Sequence, residues 1–309
     1  MLVPPPTFEV PSQPDDPRLG KLLGRDCSEQ DARLVFVGFP ADVGVRRNGG
    51  RPGAAAGPDA IRQAFARLTP DPRRPLAFSD LMRQTLDLGN IACSDDLEAD
   101  QQALADAIAP HLARRAIVIV LGGGHETALG HFLGYVTSGM PIAILNWDAH
   151  ADVRPLGPAG GHSGSPFRQA LEHPSRLCRG YTVCGLNPTS VAKAHLDFIA
   201  ERGGRALFHD DVSPFAVDQV FQDLTADTLV TFDLDAVESV FAPGVSAPAV
   251  AGLNVHLWLH AAVSAGRSPH VRSLDLVELN PSLDQDGRTA RLAARTLWEF
   301  CRGLLDRKS

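Results

Sequence analysis

Eight short runs of apolar or β-branched residues recur along the chain, separated by amphipathic stretches, and two of them, with Ile117-Val118-Ile119-Val120 and Ile142-Ala143-Ile144-Leu145, show no polar alternation. The runs are Arg33–Gly38, Gln84–Leu88, Ala116–Leu121, Pro141–Asn146, Tyr181–Gly185, Ala206–His209, Thr228–Asp233 and Val271–Val277. A strand apolar at every position suits a sheet covered on both faces, and regular strand–helix alternation implies parallel βαβ units. The intervening stretches predict helices over Pro58–Leu68, Leu97–Arg114, Glu126–Tyr135, Thr189–Gly203, Val217–Leu224, Val255–Gly266 and Thr289–Leu305. Proline near the start of the first, after Gly57, is a helix-entry signal. One continuous pattern of this kind predicts a single α/β domain over residues 18–309. Residues 1–17 hold six prolines and are expected to form an extended arm. In open parallel sheets, sites form beyond the carboxyl ends of strands, so the residues after each run matter most.

Composition excludes several classes of function. The 309 residues are 44% hydrophobic, enough for a large core, and carry a net charge of -7 with no block of like charge. Aromatics are only 6%, and no basic stripe is present, which argues against a nucleic-acid surface. Cys27, Cys93, Cys178, Cys184 and Cys301 are odd in number and contain no Cys-x-x-Cys, so reduced thiols are expected rather than disulfides or a thiolate zinc site. No apolar run reaches the roughly 18 residues of a membrane span. The N-terminus lacks the basic and apolar segments of a secretory signal. A soluble, cytoplasmic protein is the expectation, with no membrane or nucleic-acid partner.

Three of the runs end in clustered histidines and aspartates. Gly122-Gly123-Gly124-His125-Glu126 follows the third, Asp148-Ala149-His150-Ala151-Asp152 the fourth, and Asp233-Leu234-Asp235 closes the seventh. In extended backbone, residues i and i+2 share a face, so each cluster can aim its side chains at one point. Two imidazoles and four carboxylates form a donor set for hard or borderline cations such as Mn²⁺. Four carboxylates brought together also require neutralisation, which two divalent cations provide. Taken singly the motifs are weak. Gly-Gly-Gly-His is often a tight turn, and without a following Gly-Lys-Ser/Thr it is no phosphate loop. Asp-x-Asp is often a cap or turn. Their joint occurrence at strand ends points to a metal centre.

Together these three signatures resemble those of the ureohydrolases: arginases, agmatinases and formimidoylglutamases. The resemblance covers about Val35 to Leu305. It implies a three-layer α/β/α fold with a mostly parallel eight-stranded sheet, and a binuclear manganese site. It also implies that His125, Asp148, Asp152 and Asp233 hold one ion, and that Asp148, His150, Asp233 and Asp235 hold the other. The implied chemistry is attack of a metal-bridging hydroxide on an amidine or guanidine carbon. Asp152 would hydrogen-bond the hydroxide and pass its proton on, and Glu278 would orient the cationic substrate. A homo-oligomer is implied as well, of a size that no residue selects.

Within that family, three features resemble formimidoylglutamase: Gly44-Val45-Arg46-Arg47-Asn48, Arg154 directly after the metal cluster, and Ala242-Pro243-Gly244-Val245-Ser246-Ala247-Pro248. A substrate with two carboxylates and one amidine needs a cation such as Arg154 and a donor such as Asn187. Arg46, Arg47 and Arg51 could equally serve the loop or the ligand. Arginases and agmatinases carry a proton-shuttling histidine where this chain has Ser163; His162, one residue earlier, is a candidate replacement. The expected reaction is hydrolysis of N-formimidoyl-L-glutamate in histidine degradation. A urea-releasing guanidino hydrolase is the first alternative, and a non-catalytic relative of the fold, which usually loses metal ligands, is the second.

Overall fold

The structure is a computed structural model that describes residues 1–24 and 27–307. Positions 25–26 and the last two residues of the expected domain lie outside the described residues. Nine strands form one sheet: β1 Leu2–Val3, β2 Leu34–Phe39, β3 Thr85–Ile91, β4 Ile117–Gly122, β5 Ile142–Trp147, β6 Cys178–Leu186, β7 Arg205–Phe208, β8 Thr228–Asp233 and β9 Val271–Val277. Their spatial order is β1-β3-β2-β4-β9-β8-β5-β6-β7. Every neighbouring pair is parallel except β1–β3.

The apolar runs lack alternation because both faces of the sheet are covered. Along β2, Leu34 and Phe36 enter one core while Val35, Val37 and Phe39 enter the other. All six residues of β2, and all six of β8, are buried. Helices connect the strands, and on one side Thr127–Thr137 packs beside Leu97–Ala113. Asp96 caps the latter by accepting from Ala99 N at 3.1 Å.

The eight expected strands are β2 to β9, and the ninth comes from the arm. Leu2 and Val3 precede the first proline, so they retain the N–H donors that a ladder needs. They pair with Ile91 and Asn90 at the sheet edge, and the prolines that follow prevent further pairing there. The helix expected over Thr189–Gly203 starts only at Lys193. Asn187 Oδ1 accepts from Thr189 N at 3.0 Å, an Asx turn that competes with helix at that point. Short helices at Val43–Arg47, Pro75–Arg83 and Pro166–Leu171 carry too few turns to show a period in the sequence. No helix among the described residues is long and apolar enough to cross a membrane.

Candidate functional site

The four central strands β4, β9, β8 and β5 are neighbours in the sheet, and the predicted ligands leave their carboxyl ends. His125 follows β4, the cluster Asp148 to Asp152 follows β5, Asp233 and Asp235 close β8, and Glu278 follows β9. This is where open parallel sheets place their sites. Gly123 makes the turn possible: a Cβ there would sit 1.9 Å from the Ala41 carbonyl oxygen. Asp152 (φ +46°) and Glu278 (φ +68°) hold left-handed backbone that non-glycine residues rarely adopt, among five such residues described. Strain of this kind persists where a surrounding structure imposes it, commonly at working sites.

The donor atoms converge. His125 Nδ1 lies 2.9 Å from Asp233 Oδ2, 3.0 Å from Asp152 Oδ2 and 3.3 Å from Asp148 Oδ2. It is buried and makes no aligned hydrogen bond. Ligand atoms held about 2.1 Å from one cation stand about 3 Å apart along an octahedral edge, so these four atoms suit a cation better than one another. His150 Nδ1 is 3.1 Å from Asp235 Oδ2 and 3.5 Å from Asp148 Oδ1, and Asp235 Oδ1 is buried without a partner. Two groups able to hold a cation result: His125, Asp148, Asp152 and Asp233, and beside it Asp148, His150 and Asp235. Asp148 belongs to both. The second group does not include the Asp233 expected there; Asp233 Oδ1 accepts from Asp235 N at 2.8 Å.

The electrostatics demand positive charge. Burial, reinforced by Asp235 and Asp148, raises the Asp233 carboxyl well above its ordinary range. Burial and the Asp148 charge raise Asp152. The Asp235 carboxylate drives His150 far upward, and contacts with Asp148, Asp152 and Asp233 raise His125 against the effect of burial. Burial opposes ionisation of Asp148 too, but His125 and His150 outweigh it and hold its pKa low. The protein therefore gathers carboxylates whose buried negative charge divalent cations would neutralise. Glu278, pushed up to about 8 by burial and the charges of Glu126 and Asp235, accepts from His125 N at 2.7 Å.

These groups floor a cavity of about 360 Å³ whose rim includes Asn48, Arg51, Arg154, Ser163 and Ser246. That volume suits a small metabolite. Arg154 is exposed, and among the described residues no carboxylate lies within salt-bridge distance of its guanidinium. Its one polar contact is Asn48 Oδ1 at 3.5 Å, and Asn48 Nδ2 in turn donates to Ser163 Oγ at 3.1 Å. Gly164 keeps the rim open, since a Cβ there would meet Arg154 and Asn48 at 3.0 Å.

Arg51 donates to the Ser246 and Val245 carbonyls, Arg47 binds Glu98 and Gly161 O, and Arg46 binds Asp95, so all three tie loops together. Two expected residues are not brought into the cavity. Asn187 spends its side chain on Thr189 and on Ala251 O. His162 is buried with both ring nitrogens engaged: Nδ1 accepts from Gly164 N at 3.2 Å, so Nε2 carries the proton and donates to Pro155 O at 3.1 Å. The one-residue offset turns its ring into the loop, and Ser163 faces the cavity instead. Glu126 was legible only as part of its motif. It is buried, its pKa is raised to about 7 by burial, and its Oε1 accepts from Gly44 N at 2.7 Å, fixing the loop that carries Asn48.

Comparison with known proteins places this geometry. The sequence pattern of the arginase family matches residues 32–302. Formimidoylglutamase of Nocardia farcinica is 40% identical over 273 residues, covering 85% of this chain and 84% of that protein. Formimidoylglutamase of Lysinibacillus sphaericus is 36% identical over 298 residues, covering 92% and 89%. Among solved structures, Trypanosoma cruzi formiminoglutamase with Mn²⁺ superposes with a TM-score of 0.85 at 31% identity, over 94% of this chain and 99% of that one.

Proposed function

The chain belongs to the arginase family, and from that premise we propose that it is a two-manganese hydrolase. Its substrate is N-formimidoyl-L-glutamate, cleaved at the amidine C–N bond to L-glutamate and formamide, a step of histidine breakdown carried out in the cytoplasm. The observation that carries the proposal is one cavity with opposite demands at its two ends. The floor is a carboxylate cluster able to hold cations, and the rim holds Arg154, a cation without a carboxylate partner among the described residues. A substrate with an amidine at one end and a side-chain carboxylate at the other meets both. Formimidoylglutamase relatives and a formiminoglutamase structure with Mn²⁺ support the same assignment.

His125, Asp148, Asp152, Asp233, His150 and Asp235 would hold the ions, which supply Lewis acidity and lower the pKa of water towards neutrality. The remaining roles belong to side chains. Glu278, fixed by His125 N, ionises against the amidinium, whose positive charge offsets the burial that raises its pKa, and orients the reacting carbon. Arg154 receives a substrate carboxylate as a charge-assisted pair. Asp152 takes the proton released as the water oxygen bonds to the amidine carbon, and delivers it to the nitrogen of glutamate as the C–N bond breaks. The oxygen stays with the one-carbon fragment, its remaining hydroxyl proton leaves as the C=O bond forms and ends on the released amine, and the second product is formamide. The Asp152 carboxylate, buried beside the other floor residues, stands where the water proton is released.

The test is a substrate panel on Mn²⁺-loaded protein: N-formimidoyl-L-glutamate, arginine, agmatine and 4-guanidinobutyrate. Glutamate from the first, with no urea from the others, is the expected result. Urea from any guanidino compound would overturn the substrate assignment, and no product from any of them would overturn the enzymatic one.

A further inference from the structure

One pleat beneath the ligands, three adjacent strands each place a polar side chain in an otherwise apolar row. Asn146 of β5 is in register with Thr231 of β8, and Thr231 with Asp275 of β9. All three are fully buried. Residues in register across a parallel sheet share a face, and residues two further on share it too. Asp148 and Asp233 therefore stand directly above Asn146 and Thr231. A buried polar group without purpose costs about 1–3 kcal/mol, so three abreast call for an explanation.

The contacts supply one. Thr231 Oγ1 is 2.9 Å from His125 Nε2, and Asn146 Nδ2 donates to Asp148 Oδ2 at 2.9 Å. For His125 Nδ1 to face the carboxylates as a lone-pair donor, the ring proton must sit on Nε2, and Thr231 must accept it. In the residues in register with Thr231, Asn146 Oδ1 and Asp275 Oδ1 are buried with no hydrogen-bond partner among the described residues, so neither engages the Thr231 hydroxyl. Asp275 is itself immobilised through Oδ2, 2.8 Å from His131 Nδ1, and His131 Nε2 is 2.7 Å from Ser273 Oγ.

We propose that this row is the support of the metal centre, with Thr231 as the positioning residue that fixes the tautomer and ring orientation of His125, and Asn146 as the one that fixes Asp148. The inference rests on the metal reading of the site. An outer partner of a metal-ligating histidine is typically worth 10–100-fold in metal affinity. Thr231 touches no substrate, so its effect reaches the reaction through His125 alone.

The experiment is titration of metal-free protein with Mn²⁺, followed by calorimetry and by the paramagnetic signal of free Mn²⁺. Wild type is compared with Thr231→Val, which removes the acceptor at nearly constant shape, and Thr231→Ser, which keeps it. The expected result is two ions in each protein, with one of them bound 10–100-fold more weakly by Thr231→Val and within about threefold of wild type by Thr231→Ser. Thermal melting of the metal-free forms serves as the folding control. Should Thr231→Val melt far below wild type, Thr231→Cys, whose thiol is a poor acceptor, takes its place with the same expectation. Unchanged affinity in the variant that lacks the acceptor would overturn the inference and leave the metal reading standing. Equal weakening by Thr231→Ser would overturn it as well. A wild type that binds no cation would overturn both.

Discussion

Arg154→Met separates the charge of the rim from its bulk. The variant keeps an unbranched apolar stem and removes the guanidinium. Arg154 makes no ion pair among the described residues, and its contact with Asn48 is long at 3.5 Å, so stability should hardly change. Its partner is the substrate. Two unit charges 4 Å apart interact by about 1 kcal/mol in water and about 4 kcal/mol near a protein surface. The exposed rim draws the value towards the lower limit, and about 2 kcal/mol is expected, or roughly 30-fold in kcat/KM. The loss should fall on KM, because the side-chain carboxylate of the glutamyl group lies several bonds from the one that breaks and binds equally in ground and transition states. The control is the N-formimidoyl derivative of a simple alkylamine, which has the amidine and no acid. Wild type should use it poorly, and Arg154→Met should use it no worse. Steady-state kinetics of both proteins on both substrates give the coupling directly. A 30-fold loss on the acid-free substrate as well, or none on either, would refute the assignment of Arg154 to a substrate carboxylate.

Other parts of the structure make sharper claims on other observables. His162→Asn should keep the shape of the pH–kcat profile and lower kcat less than about tenfold, because both ring nitrogens serve the loop; loss of a limb of the profile would restore the histidine to proton transfer. Gly123→Ala should cost at least about 3 kcal/mol in denaturant unfolding, since the added Cβ meets the Ala41 carbonyl at 1.9 Å. Chelation should lower the melting temperature and Mn²⁺ should restore it, as the ions bind only the folded cluster; equal melting with and without chelator would contradict the neutralisation argument. Burial raises Cys93, Cys184 and Cys301 to about 12 from an ordinary value of 9.0. Above pH 9 the unfolded chain loses these protons while the folded one keeps them, so stability is complete below pH 9 and falls as pH climbs towards 12. Unfolding measured across that window should show a shallower decline in Cys301→Ala than in the parent, and identical slopes would contradict the burial argument.

The sheet was legible because its physics is simple. Thr228–Asp233 and Val271–Val277 match their predicted bounds, since a strand buried on both faces writes a largely apolar run. The metal candidates were legible for a related reason: at a strand end, alternate residues share a face, so spacing alone brings Asp148, His150 and Asp152 to one place. Loops carry no such rule. His162 and Asn187 looked chemically apt, but whether a loop side chain turns to the cavity or to its own backbone depends on the whole path of the chain. Here Pro155 O and Gly164 N claim one, and Thr189 and Ala251 O the other.

The residues that sequence reading passed over are informative for the opposite reason. Asn146, Thr231 and Asp275 were each visible as a polar interruption of an apolar run, and within one strand such a residue has no evident meaning. Only strand order makes them a row, because β5, β8 and β9 are neighbours in space though far apart in the chain. The first tier of the site, the ligands, is encoded locally by spacing. The second tier, which decides whether those ligands point inward, is encoded by register between strands. A variant that keeps every ligand and alters only the row should therefore lose metal affinity while keeping its fold, and a chain with the three signatures but an apolar row should hold its ions less tightly than this one.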